Sequence, residues 1–161
     1  MAMGPLGGIL NSITEYSELK QELSMSNRRF SKAEAPKEVA PFLLATLAHD
    51  LDRSILLVTP TAQHARSLQN QISTWIRDDR KIMLFPETEI LPFERLVSDP
   101  ITSHERLRSL STLSKSEPET KLVIASATSL MQKTVSQSNF KSAVITIQTG
   151  QSISLEQLCL V

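Results

Sequence analysis

The chain has 161 residues, 40% of them apolar, which is enough for one domain with a core. Its 17 basic and 17 acidic side chains cancel, and a pI near 6.8 excludes the global basic footprint of a stand-alone phosphate-backbone binder. A single cysteine, Cys159, excludes an internal disulfide, and no Cys/His group has zinc-ligand spacing; both fit a reducing compartment.

Met1 to Leu10 lacks a basic leader region, and no apolar run approaches the ~20 residues of a membrane span, so a soluble cytoplasmic chain is expected. Leu6, Ile9, Leu10, Ile13, Tyr16, Leu19 and Leu23 recur at helical spacing and predict a first helix over 6–23. Ser12 and Glu15 match a capping box inside that run, which would start the helix later. Residues 24–38 are polar and aperiodic and read as a linker. Pro41 suits the first turn of a helix, PFLLATLAHDL, that is apolar nearly all round and therefore buried.

Alternation follows. ILLV at 55–58 reads as a strand covered on both faces, and Ala62, Ala65, Leu68, Ile72, Trp75 and Ile76 form the stripe of a helix behind it. IMLF at 82–85 is a second strand. After a Pro-rich loop, Thr102 and Glu105 form the capping box of a helix whose apolar stripe is Leu107, Leu110 and Leu113. KLVIASA at 121–127 is a third strand, a short helix occupies 129–134, and AVITI at 143–147 reads as a fourth strand. Ser154 and Gln157 then start a last helix. Strand and helix in turn build a parallel sheet flanked by helices, an α/β fold.

The chemistry such a sheet supports is sparse here. A phosphate-binding loop needs glycines, a lysine and a hydroxyl before a helix, whereas the loop at Glu34–Phe42 reads EAPKEVAPF, without glycine. Glu87, Glu89, Glu94 and Asp99 offer a general acid/base or metal cluster on paper, weighed against solvated loop acids, the reading preferred. His49, His64 and His104 fall on three separate helices without ligand spacing. Ser126 and Thr128 stand after a strand in an S-A-T run that also occurs in helicase motors, and equally suit a helix cap. Arg28, Arg29 and Lys32 could meet phosphate or an acidic partner, with solvation the simpler reading. Phe30, Phe42, Phe85, Phe93 and Trp75 are not interleaved with basic residues as a base-stacking platform requires, and core packing is their expected use.

In order, the chain carries an N-terminal amphipathic helix, PFLLATLAHDLDRSILLVTPTAQHARSLQNQISTWI, FPETEILPFERLVSDPITSHERLRSLSTL and KLVIASATSLMQK. It ends with a strand and TGQSISLEQL. This order resembles the N-terminal UvrB-homology module of bacterial transcription-repair coupling factors. The specific part is the E-x-L-P-F-E run, with Glu89, Leu91, Pro92, Phe93 and Glu94, followed by S-x-x-R-L with Arg106. The resemblance implies a RecA-like layer over 39–137 whose nucleotide site, at Glu34–Phe42, is degenerate. It also implies an N-terminal helix and linker over 1–38, and the opening of a UvrA-binding domain over 138–161. The family's UvrA-contacting residues match positions beyond Val161, so none carries over. In the complete family protein, ATP serves a DNA-translocating motor that displaces stalled RNA polymerase; the implication for this chain is a non-catalytic module with no cofactor of its own. The alternatives are a UvrB-type fragment binding nucleotide and DNA, and an unrelated phosphate-handling α/β enzyme using the acids at 87–99.

Overall fold

The computed structural model describes residues 5–25, 31–51, 53–76, 82–88, 99–114 and 122–154, with side chains from residue 8 onward. The N-terminal helix is two helices, α1 (Pro5–Asn11) and α2 (Thr14–Ser24), broken at Ser12 and Ile13. Ser12 does not cap α2: its Oγ donates back to the Ile9 carbonyl at 2.7 Å, and the cap position falls on Ile13, which has no side-chain acceptor. The capping box expected at Ser12 and Glu15 is therefore absent.

Helix α3 (Ala40–Asp50) starts with Pro41 in its first turn, as expected, and buries Ala45, Thr46, Leu47 and Ala48. Leu10 and Tyr16 pack onto Leu47 and Leu51, tying α1 and α2 to it. Asp50 fastens the same contact: its Oδ2 accepts from the Tyr16 hydroxyl and from Lys20 Nζ, each at 3.1 Å, while His49 Nδ1 lies 3.1 Å from Oδ1. Burial alone would raise the Asp50 carboxyl; the hydrogen bonds from His49, Lys20 and Tyr16 outweigh it and hold the pKa below the ordinary value. Burial, and then the Asp50 charge, push the Tyr16 phenol upward.

Strands β1 (Ile55–Thr59), β2 (Ile82–Phe85) and β3 (Leu122–Ser126) form a parallel sheet in the order β1-β3-β2. Ile55 and Ile82 both align with Leu122, so the three strands share one register. Helix α4 (Ala62–Ser73) joins β1 to β2 across the intervening strand, and α5 (Pro100–Leu113) precedes β3 on the way back. Because connections between parallel strands keep one hand, the reversal of direction puts the two helices on opposite faces. On one face, Ala65, Leu68 and Ile72 of α4 and Ala45 and Ala48 of α3 meet Ile82, Leu84, Leu122 and Ile124. On the other, Phe85, Val123 and Ala125 meet Leu110 of α5.

Four expectations are corrected here. Strand β1 is not covered on both faces: it lies at an edge of the described sheet, beyond the reach of α5, and Leu56 and Val58 are about half exposed. Helix α5 begins at Pro100 with Asp99 as its cap, so Thr102 lies inside the helix, and its buried residues are Thr102, Arg106 and Ser109 while Leu107 and Leu113 are exposed. AVITI is not a strand: Ala143 ends helix α7 (Gln137–Ala143), and residues 144–148 pair in no sheet among the described residues. The short helix after β3 is α6 (Ala127–Met131), which starts two residues before the expected 129. The helix expected from Ser154 lies outside the described residues, apart from Ser154 itself. Among the described residues no helix is long and apolar enough to cross a membrane.

Candidate functional site

Parallel strands bring their C-terminal ends to one edge of the sheet, and the crevice there, where the connection direction reverses, is the usual ligand position in open α/β sheets. Here that edge gathers Thr59, the stretch from Pro86 to Thr88, and Ser126. Thr59 folds back on its own turn, its hydroxyl donating to the Thr61 carbonyl at 3.0 Å. Thr61 in turn caps α4 by accepting from the His64 amide at 3.2 Å.

The crevice is filled by side chains of the chain itself. From α5, Arg106 reaches across β2: Nη1 donates to the Pro86 carbonyl and, at 3.2 Å, to Gln132 Oε1. Its guanidinium carbon lies 4.2 Å from the centre of the Phe85 ring, a cation–π contact. Arg106 is only 8% exposed, and burial lowers its pKa from the usual high value. One turn on, Ser109 Oγ sits 2.9 Å from the Leu84 carbonyl. Gln132, just beyond α6, clamps Thr88 from both sides: Oε1 accepts from the Thr88 amide and Nε2 donates to its carbonyl, each at 2.9 Å. The segment leaving β2 thus has backbone partners without belonging to the sheet.

Ser126 closes the other side. Its Oγ donates to Glu87 Oε2 at 3.0 Å and accepts from the Ser129 amide at 3.0 Å, so one hydroxyl caps α6 and fixes a carboxylate. The cap reading of Ser126 holds, and Thr128 is an exposed residue inside α6. What remains open is a cavity of about 60 Å³ beside Arg66, Glu87, Thr102 and Ser126. Small-molecule pockets are typically ~300 Å³ or more, so this one takes a water or two. Arg66 Nη2 lies 3.9 Å from Glu105 Oε2, a long contact, and that oxygen accepts no hydrogen bond.

Of the four loop acids, Glu87 turns to Ser126 and Asp99 caps α5, accepting from the Ile101 and Thr102 amides at 3.3 and 3.1 Å. The Thr102 amide and hydroxyl, then the Ile101 amide, lower the Asp99 pKa. Glu89, Leu91, Pro92, Phe93 and Glu94 of the signature run lie outside the described residues, as do Arg28, Arg29, Phe30 and Cys159. Arg106, the remaining signature residue, is the centre of the network. Residues 34–39 lead irregularly into α3, which takes in 40–42, and the Val39 and Ala40 amides donate to the Pro36 carbonyl at 3.0 and 3.1 Å. His49, His64 and His104 stand on α3, α4 and α5, and no cluster of metal-ligating side chains occurs among the described residues. The Phe42 and Trp75 rings meet at a tilt of 54° with their centres 4.8 Å apart, and Lys32 pairs with Glu34 at 2.7 Å on an exposed surface.

Sequence reasoning missed Gln132 and Ser109. The available signal was the spacing of Thr102, Arg106 and Ser109, polar residues on one helical face.

The chain is similar to the transcription-repair-coupling factor of Bacillus subtilis (strain 168). The two are 25% identical over 114 residues, which cover 71% of this chain and 9% of that protein. No protein-family model matches the chain.

Proposed function

We propose that this chain is the leading part of a transcription-repair coupling factor and acts as a non-catalytic interaction module. The observation that carries the reading is the similarity to the Bacillus factor, 25% identity over 114 residues, taken together with the resemblance of the motif order to that family's N-terminal module. On this reading the sheet is a RecA-like layer that has lost its nucleotide site at Glu34–Phe42, and 138–161 opens the UvrA-binding domain. UvrA, RNA polymerase and DNA are partners of the complete protein, and ATP belongs to its motor. Support for a non-catalytic role comes from the strand-end crevice, where Arg106, Gln132 and the Glu87–Ser126 pair occupy the position a ligand would take.

Calorimetric titration of the chain with magnesium ATP tests the loss of the nucleotide site. The expected result is no saturable heat at millimolar nucleotide. Micromolar binding, abolished by altering residues 34–42, would overturn the reading in favour of a UvrB-type nucleotide-binding fragment.

A further inference from the structure

Helix α2 sorts its charges by face. Lys20 turns to Asp50 on α3, whereas Glu15, Glu18 and Glu22, three and four residues apart, share the other side. That side borders a groove of about 480 Å³ between α2, the stretch 32–36 and the start of α3. Leu10, Ile13, Leu19, Val39 and Leu43 form its floor, and Ile13 and Val39 are each 40% exposed. Among the described residues four carboxylates line it, those of Glu15, Glu18, Glu22 and Glu34, against the one ammonium of Lys32; Glu34 pairs with Lys32 at 2.7 Å, and Glu22 Oε2 accepts from the Ser31 hydroxyl at 2.6 Å. A chain with balanced charge thus concentrates acid around one apolar trough.

We propose that this groove docks a basic amphipathic helix of a partner protein. The floor accepts Leu- or Ile-sized anchors at helical spacing, and the rim complements Lys or Arg on either side of that stripe. The two helical walls, α2 and α3, present side chains rather than a strand edge, which suits a partner whose backbone satisfies its own hydrogen bonds, as a helix does. Nucleic acid is disfavoured, because the rim repels phosphate.

The probe is a labelled peptide of about 18 residues with Leu at i, i+3, i+4 and i+7 and Lys on the flanks, titrated by fluorescence anisotropy beside an analogue with Glu on the flanks. The Lys peptide is expected to bind about tenfold tighter or more, with affinity falling as salt rises. In the chain, Glu18→Lys with Glu22→Lys reverses two exposed rim charges on a helix that tolerates lysine, and should weaken the Lys peptide about tenfold while the circular dichroism is unchanged. Val39→Asp, on the floor, should weaken it as well. Equal affinity for the two peptides, or no effect of the charge reversal, overturns the proposal. So does tighter binding by Arg28→Glu with Arg29→Glu, which would make the chain's own basic pair the occupant. Self-association of the chain that the charge reversal abolishes would likewise give the groove to a second copy.

Discussion

The two faces of the sheet are held by different physics. Toward α3 and α4, the contact is made of alanine, leucine and isoleucine, with Ile72, Leu122 and Ile124 fully buried. Each such side chain contributes roughly 1.5–3 kcal/mol by leaving water. Toward α5, the helix offers Thr102, Arg106 and Ser109, and two of these bond to backbone carbonyls at the end of β2. An apolar face needs only matching shapes, so the pattern of residue types reveals it. A polar face needs particular atoms opposite one another, and residue type alone does not say which side of a helix it is.

That contrast can be broken at four places. The largest effect is expected on the apolar face: Ile124→Ala should cost about 4 kcal/mol in denaturant unfolding, through lost transfer energy and the cavity left behind. A loss below about 1 kcal/mol would mean that the face is loosely packed. On the polar face, Arg106→Met keeps the stem but strips the partner from the Pro86 carbonyl and from Gln132, at about 2–3 kcal/mol. Arg106→Lys should recover less than half of that, since an ammonium cannot reach the carbonyl and Gln132 while lying flat on Phe85. If methionine were neutral, the network would be ornament on an apolar contact.

Asp50 gives a smaller, pH-dependent effect. Its carboxyl has a lowered pKa in the folded chain, so its contribution is fully present above the unfolded value and is lost as pH falls through the folded one. Asp50→Asn should cost about 1 kcal/mol at neutral pH and flatten the acid limb of the stability profile. An unchanged acid limb would show that Tyr16 and Lys20 do not favour the ionised form. The smallest effect is expected at a position that periodicity assigned to an apolar stripe: Leu107→Gln, where the side chain is half exposed, should stay within ~0.5 kcal/mol of the parent.

Much of the fold was legible because burial writes itself into short apolar runs. The runs at 55–58, 82–85 and 122–126 are strands of one parallel sheet, and Ala65, Leu68 and Ile72 face the core as their spacing required. Helix α5 was read only in part: Leu110 does pack on the sheet, but Leu107 and Leu113 satisfy the same spacing and stay exposed, while Thr102, Arg106 and Ser109 are buried and two of them bond to carbonyls at the end of β2. AVITI has the β-branched composition of a strand, but composition does not supply a neighbour, and none of the described strands pairs with it. Within the strand-end site, Arg106 was singled out through the family resemblance. Its partner Gln132 was invisible, since 26 positions separate the two and nothing local marks their meeting.

The strand order also sets a timetable for synthesis. Among the described strands, β1 and β2 pair only with β3, and Thr59 waits for Ser126. At about 5–20 residues per second, a ribosome needs on the order of several seconds between those two codons. Throughout that interval none of the three described strands has its partner, and the apolar run from Ile55 to Val58 leaves the exit tunnel before β3 exists to receive it. A nascent chain stalled before Leu122 would present two orphan strands to chaperones and proteases, whereas one released after Ser126 could close the whole sheet in a single step.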